Sequence, residues 1–355
     1  MIEIPNHSTR EYSGIVLERI KHLKPGGKMG DLPKHLQHES FERKGEKNTG
    51  GPNMRLLRLE KDKPSLTVTA FVFNKFVHPI QNRYITAREA ACLQDFPNDW
   101  VFKGTMGEIQ MQIGNAVPVK LATAIAESVA KYFARRNSGG LKSIASYFSG
   151  AGGLDLGFEN VQNSSVSFQT KFCTDIEVCT QATINANRPD WNFRLADIRN
   201  LSTADVISAI GTNPDVIIGG PPCQPFSVAG KQRAITDPLG KLYSDFIGHV
   251  ASLLPSIVVM ENVYGMAQVK SVDMIGLIYK SFSDIGYKVT HRELLAADYG
   301  TPQRRRRLIF IASKDLHNYQ FPEPTHCESL NLLGLPVYNG AGDAILKLPN
   351  PRCIK

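Results

Sequence analysis

The chain reads as an α/β protein, with a doubly wound, mostly parallel sheet and a second, smaller lobe. Three observations predict this. Past residue 140, apolar runs of strand length alternate with helical stretches. A glycine turn, FSGAGG, follows directly on the first of those runs. The residues best suited to chemistry recur just after the runs, at the carboxyl ends where an open α/β sheet binds its ligands.

Residues 1–54 are rich in Gly, Pro, His and Lys, and KPGGKMGDLP and ERKGEKNTGGPN read as loops. LRLEKDKPSLTVTAFVF follows, strand-like at its end. TAREAACLQDF predicts a short helix with Thr86 as N-cap and Glu89 at the capping-box position. Residues Pro118 to Arg136 predict an amphipathic helix, opened by a proline and closed on Asn137-Ser138-Gly139-Gly140. Strands are expected at Ile144–Phe148, Phe168–Cys173, Asp215–Ile218, Ser256–Met260, Lys288–Leu294 and Arg307–Ala312. Helices are expected between most of them, notably Val178–Asn187 and Tyr243–Leu254.

Composition limits the functional classes. With 355 residues and 42% hydrophobic content the chain can bury a substantial core, as one large domain or two smaller ones. No apolar run reaches 18 residues and the N-terminus is polar, so neither a membrane span nor a secretory leader is expected. The cysteines form no CxxC pair and no histidine stands at zinc-ligand spacing, so free thiols of a reducing compartment are expected and no metal. The net charge of +8 is unevenly spread: residues 1–140 hold 21 Lys and Arg against 14 Asp and Glu. That excess is either a merely soluble surface or a complement to phosphates.

Four motifs carry the chemistry. In SYFSGAGGLDLGFE the glycines at 150, 152 and 153 let the backbone turn tightly and approach a ligand. The G-x-G-G spacing is not that of a dinucleotide site. Asp175, after the second strand, suits ribose hydroxyls, and Asp197, after the third, suits an adenine amino group; either acid is also explained as a helix cap. In IIGGPPCQPFSVAGKQ, Cys223 sits between prolines just past a buried strand, poorly placed for core packing and well placed as a presented nucleophile. IVVMENVYG sets Glu261 and Asn262 after another apolar strand, as a helix cap or as an acid for a ring nitrogen. QRRRR places Gln303 and four arginines before the last strand; strand alternation would aim Arg305 and Arg307 to one side. Four arginines are also what a solvated anion patch looks like.

Taken together, FSGAGG, GGPPCQPFS, ENV and QRRRR resemble the cytosine-5 DNA methyltransferase family, in its usual relative order. RYITAREAACLQDFP (83–97) and QIGNAVPVKLA (112–122) resemble that family's last two motifs, yet here they come first. The resemblance spans roughly residues 52–312 and implies a circularly permuted chain, with RRNSGGLKS as the new linker. It implies a Rossmann-like S-adenosylmethionine-dependent methyltransferase fold acting on double-stranded DNA at a specific sequence, as a restriction-modification or orphan methylase. Cys223 would add to cytosine C6, Glu261 would bind the N3 edge, and Arg305 with Arg307 would hold the base and orient Cys223. Phe148, Gly150, Gly153, Asp175, Ile176, Asp197, Ile198, Pro222, Leu242, Asn115 and Val117 would surround S-adenosylmethionine. Ser146 departs from the family's usual acid, and Ile176 from its larger adenine-stacking side chain.

The domain layout that follows is a target-recognition lobe at 1–80, the last family motifs and a cofactor-closing helix at 81–136, the catalytic domain at 141–330, and a tail at 331–355, separate or part of the recognition lobe. The expected place of action is the cytoplasm, at the nucleoid if the cell is prokaryotic. A separate restriction endonuclease or a second recognition polypeptide is a further expected partner. The rival readings are a tRNA cytosine-5 methyltransferase of the same architecture and a catalytically inactive nucleic-acid-binding subunit; a nicotinamide dehydrogenase is disfavoured by the glycine spacing.

Overall fold

The computed structural model describes residues 4–38, 56–70, 75–161, 165–222, 238–268, 273–329 and 334–354. The chain divides into two compact units: unit 1 comprises Met1–Asn115, Gly300–Arg305 and Thr325–Lys355, and unit 2 comprises Ala116–Tyr299 and Arg306–Pro324. Residues 81–115 therefore belong with the N-terminal unit, where the sequence suggests a boundary near 80.

Unit 2 begins with helix α1 (Val119–Arg135), N-capped by Pro118. Its strands are β1 (Gly140–Tyr147), β2 (Val166–Asp175), β3 (Phe193–Leu195), β4 (Val216–Gly219), β5 (Ile257–Val263), β6 (Lys288–Leu295) and β7 (Arg306–Ser313). They form one seven-stranded sheet in the order β6-β7-β5-β4-β1-β2-β3. Every strand but β7 runs in the same direction. The remaining helices of this unit are α2 (Gly153–Glu159), α3 (Val178–Asn187), α4 (Thr203–Ile210), α5 (Pro238–Leu253) and α6 (Met274–Asp284).

Central strands are apolar at consecutive positions because both faces are covered. Ile144, Ile218, Val259 and Ile309 enter the core that holds α1 and α2, while Ala145, Ile217, Val258 and Phe310 enter the core that holds α5 and α6. The α1–α2 contact is close: a Cβ on Gly157 would stand 2.2 Å from the Cβ of Ala122, so only glycine admits it. The helix that follows QIGNAVP is thus packed on the helix that follows the glycine turn, and Val117 shares a core cluster with Leu154 and Phe158.

Unit 1 has little regular structure among its described residues. Residues 14–22 form a helix, Gly14–His22, within a stretch whose sequence shows little periodicity. The segment is short and its apolar spacing weak, and it holds because Ile20 packs with Leu23, Met29, Leu36 and Leu56. Thr86 caps Ala87–Cys92 as expected, accepting from Glu89 N while Glu89 accepts from Thr86 N at 2.7 Å. Arg58 is buried and donates to the carbonyls of Ile20, Leu23, His78 and Gln81, doing the work a longer sheet would do elsewhere. Strand character in 57–70 is limited to Leu57–Arg58 and Ser65–Leu66. The loop expected at ERKGEKNTGGPN lies outside the described residues.

Both chain ends enter unit 1. Ser8–Arg10 pairs in parallel with Arg352–Ile354, and the imidazole of His7 is 2.7 Å from the Pro349 carbonyl. At the other junction Arg136, Asn137, Gly139 and Gly140 are exposed, with Asn137 and Gly140 in the left-handed region. A rearranged chain running from Lys142 through Lys355, across a flexible linker of about ten residues, and ending at Asn137 should therefore fold and keep its activity. Such a linker spans on the order of 15–20 Å, enough for ends that already share a strand pair. An insoluble or inactive product at several linker lengths would mean that the ends are far apart or that the recognition lobe is completed differently.

Candidate active site

The sheet register aligns the carboxyl ends. Tyr147 pairs with Thr174 on one side and Gly219 on the other, and Gly219 pairs with Met260. One residue further on, each strand delivers a different piece of candidate chemistry along one edge.

After β1 the backbone turns sharply. Phe148 has φ +53°, a conformation a bulky side chain adopts only when its surroundings impose it. Gly150 has φ +51° and open space where a Cβ would lie, whereas a Cβ on Gly152 would stand 2.7 Å from Trp191. Gly153 opens α2. The turn is tied to the end of β2: Gly150 N donates to Asp175 Oδ2 at 2.9 Å, and Ser149 Oγ donates to the Thr174 carbonyl at 3.0 Å. Asp175 also accepts from Glu177 N at 3.1 Å. Burial raises the Asp175 pKa, and these backbone N–H groups oppose that rise. Next to it Ile176 and Val178 are 60% and 66% exposed, an apolar shelf beside a carboxylate.

Asp197 caps a one-turn helix at Ile198–Asn200, accepting from Arg199 N at 3.0 Å, and its carboxylate is gripped by the Arg199 guanidinium. That pairing holds the Asp197 pKa low against the opposing effect of burial. Ile198 is buried and Leu242 packs partly buried against the same core.

The second part of the edge is acidic and basic together. Glu261 and Arg307 meet with Nε and Oε1 at 2.5 Å, and their side chains are only 12% and 11% exposed. The antiparallel register sets this up, since Arg307 pairs with Val263 at the end of β5. Glu261 also stands beside the loop after β4: a Cβ on Gly220 would be 3.1 Å from Glu261 Oε2. Asn262 Nδ2 donates to the Pro221 carbonyl at 3.1 Å, anchoring the same loop to β5. Pro222 is half-buried there, and Cys223, the next residue, lies outside the described residues.

Arg305 is placed differently from its expected role. A continuous strand would have aimed it with Arg307, but the strand is interrupted: Gln303–Arg304 pairs with Ser65–Leu66, and β7 starts at Arg306. Between them Arg305 is buried in unit 1, donating to the carbonyls of Val68 and Gly114, each at 2.8 Å. Those two bonds break the alternation. Asn115 is exposed and also belongs to unit 1, while Val117 and the remaining expected cofactor residues belong to unit 2. The left-handed backbone of Phe148, the Asn262–Pro221 tie and the buried Asp155 are not among the sequence-based expectations. Only Asp155 carried a visible signal, as an acid inside the apolar stretch GGLDLGFE.

Among the described residues no three His, Cys, Asp or Glu side chains cluster as metal ligands, and no helix is long and apolar enough to cross a membrane. The sequence profile of C-5 cytosine-specific DNA methylases matches residues 6–131 and 143–333. The Type II methyltransferase M.AquIA of Picosynechococcus is 36% identical over 226 residues, covering 59% of this chain and 89% of that relative. M1.HphI of Haemophilus parahaemolyticus is 38% identical over 57% of this chain, and M.SacI of Streptomyces achromogenes 36% over 52%. Of these last two, the chain spans about half the length, 51% and 50%.

Proposed function

The chain belongs to the C-5 cytosine-specific DNA methylase family, and on that premise we propose that it methylates C5 of a cytosine at a defined sequence in double-stranded DNA. The observation that carries this is the Glu261–Arg307 pair beside Gly220, three residues before Cys223 and on the same sheet edge as the Asp175-anchored turn. The Type II relatives favour a modification role paired with a restriction endonuclease.

The edge after β1, β2 and β3 fits S-adenosylmethionine. Gly150 leaves a cradle that a Cβ would fill, Asp175 retains acceptor capacity for ribose hydroxyls, and Ile176 offers an apolar face to adenine. Asp197 can accept an adenine amino group once Arg199 releases it. Bound there, the cofactor supplies an electrophilic methyl group. The protein's part is to make cytosine C5 nucleophilic. The Cys223 sulfur adds to C6 as Glu261 hydrogen-bonds or protonates N3, which puts electron density on C5. After methyl transfer a base removes the C5 proton, and the sulfur leaves. Arg307 faces the Glu261 carboxyl as its ion-pair partner and keeps it at this edge of the sheet. The target must be flipped from the duplex, at a cost of about a few kcal/mol. Arg305 enters as a support for Val68 and Gly114. Unit 1, which holds most of the positive excess, is assigned to phosphate contact and sequence reading.

Bisulfite sequencing of DNA and RNA from a host expressing the chain tests this. Unconverted cytosines should cluster at one short DNA sequence and vanish with Cys223→Ala. Protection confined to RNA would transfer the activity to tRNA-like substrates, and uniform conversion with soluble protein present would overturn the reading.

A further inference from the structure

We infer that His249 is a positioning residue for the adenosine end of the cofactor, holding the glycine turn and the Asp197 turn in mutual register. The inference rests on the cofactor reading above and adds a residue outside the motifs. His249 lies on α5, buried, in a core otherwise made of Ala145, Phe172, Ile217, Phe246, Val250 and Leu253. Its Nδ1 is 3.0 Å from the hydroxyl of Tyr147, and the two rings meet edge to face at 5.2 Å. The helix packs on the Asp197 turn, whose Ile198 and Leu201 share this core.

In the tautomer protonated at Nε2, Nδ1 accepts from the Tyr147 hydroxyl. One imidazole thus ties the end of β1 to a helix packed on the Asp197 turn. Tyr147 is the last residue of β1 and immediately precedes Phe148, whose left-handed backbone needs an imposed geometry. Ile198 immediately follows Asp197. The helix itself carries Leu242 and follows Cys223 along the chain. A leucine would fill this space without a desolvation cost, so a polar link here is bought at some stability for a fixed arrangement. Burial lowers the pKa of the ring, in keeping with a group that works neutral.

Calorimetry with S-adenosylhomocysteine, a probe that needs no turnover, tests the inference on the full chain. His249→Leu should raise its Kd about tenfold, the loss expected when a buried hydrogen bond goes and leaves the Tyr147 hydroxyl unsatisfied. His249→Gln, whose amide oxygen can still accept from the Tyr147 hydroxyl, should recover to within about threefold. Tyr147→Phe should cost about two- to fivefold. The affinity of each variant for DNA alone should stay within about twofold, and kcat at saturating S-adenosylmethionine should change far less than KM. Unchanged affinity in His249→Leu would overturn the inference. So would equal losses in His249→Leu and His249→Gln accompanied by weakened DNA binding, which would mark a merely structural core histidine. If His249→Leu does not fold, Tyr147→Phe decides, and native affinity there overturns the inference. An unsubstituted chain that binds no S-adenosylhomocysteine would instead overturn the cofactor reading, and this inference with it.

Discussion

A Cys223→Ala chain should lose methyl transfer by three orders of magnitude or more, on the order of what removal of a covalent nucleophile costs elsewhere. Glu261→Gln should lose roughly 10²–10⁴-fold, the range for a positioned acid or base. Both expectations follow from the chemistry of cytosine. C5 does not attack a methyl group until a thiolate at C6 has made it enamine-like, and N3 must accept a proton or a strong hydrogen bond as that happens. Glu261 sits where it can serve N3, beside Gly220 and in an ion pair with Arg307. Asn262 holds the Pro221 carbonyl, two residues before the sulfur. DNA carrying 5-fluorocytosine at the target separates the steps. Fluorine cannot leave C5 as a proton does, so the bond between sulfur and C6 should persist after methyl transfer. A denaturing gel should show the native protein joined to that DNA, and Cys223→Ala free of it. An adduct that survives Cys223→Ala, or none at all from active native protein, would remove Cys223 from the mechanism.

The sheet was largely legible because its signal is local. Apolar runs of four to seven residues marked six of the seven strands to within a few positions, and α3 matches its expected span, Val178–Asn187. The capping box at Thr86–Glu89 was readable for the same reason, since four adjacent residues satisfy one another. Unit 1 was not, because its cohesion is long-range: Arg58 reaches carbonyls 20 and more residues away, and Ser8–Arg10 finds its partner at Arg352–Ile354. Arg305 and Arg307 show the limit of periodicity inside a motif. Two residues apart in sequence, they go to different units because the carbonyls of Val68 and Gly114 claim the first and Glu261 the second. The departure at Ser146 also acquires a meaning only in three dimensions, through the acid it faces.

That acid, Asp155, should make the stability of the chain fall as pH rises from about 4 to 7. It is fully buried in the first turn of α2, with Oδ2 accepting from Ser146 Oγ and Oδ1 from Thr170 Oγ1, each at 3.1 Å. Burial pushes its pKa up from 3.8 to about 7; the two hydroxyls lower it only partly, and Glu159 nearby adds to the rise. The folded chain therefore holds a proton that the unfolded chain has lost throughout that window. More protons on the native state means that unfolding free energy declines with pH, by at most about 1.4 kcal/mol per unit and roughly 3–4 kcal/mol in all. The contribution is complete below the unfolded pKa and gone above the folded one. Asp155→Asn keeps the shape, and its amide can still meet both hydroxyls without a charge to bury. Urea unfolding should find the variant similar to native at pH 5 and about 2 kcal/mol or more stabilised at pH 8, with a flatter pH profile between. Ser146 and Asp155 strap β1 to α2 across the glycine turn, so S-adenosylhomocysteine affinity should follow the same profile if the strap loosens on ionisation. A variant with the native pH slope, or one less stable than native at pH 8, would show that the Asp155 carboxyl stays charged in the fold and that the two hydroxyls suffice to hold it.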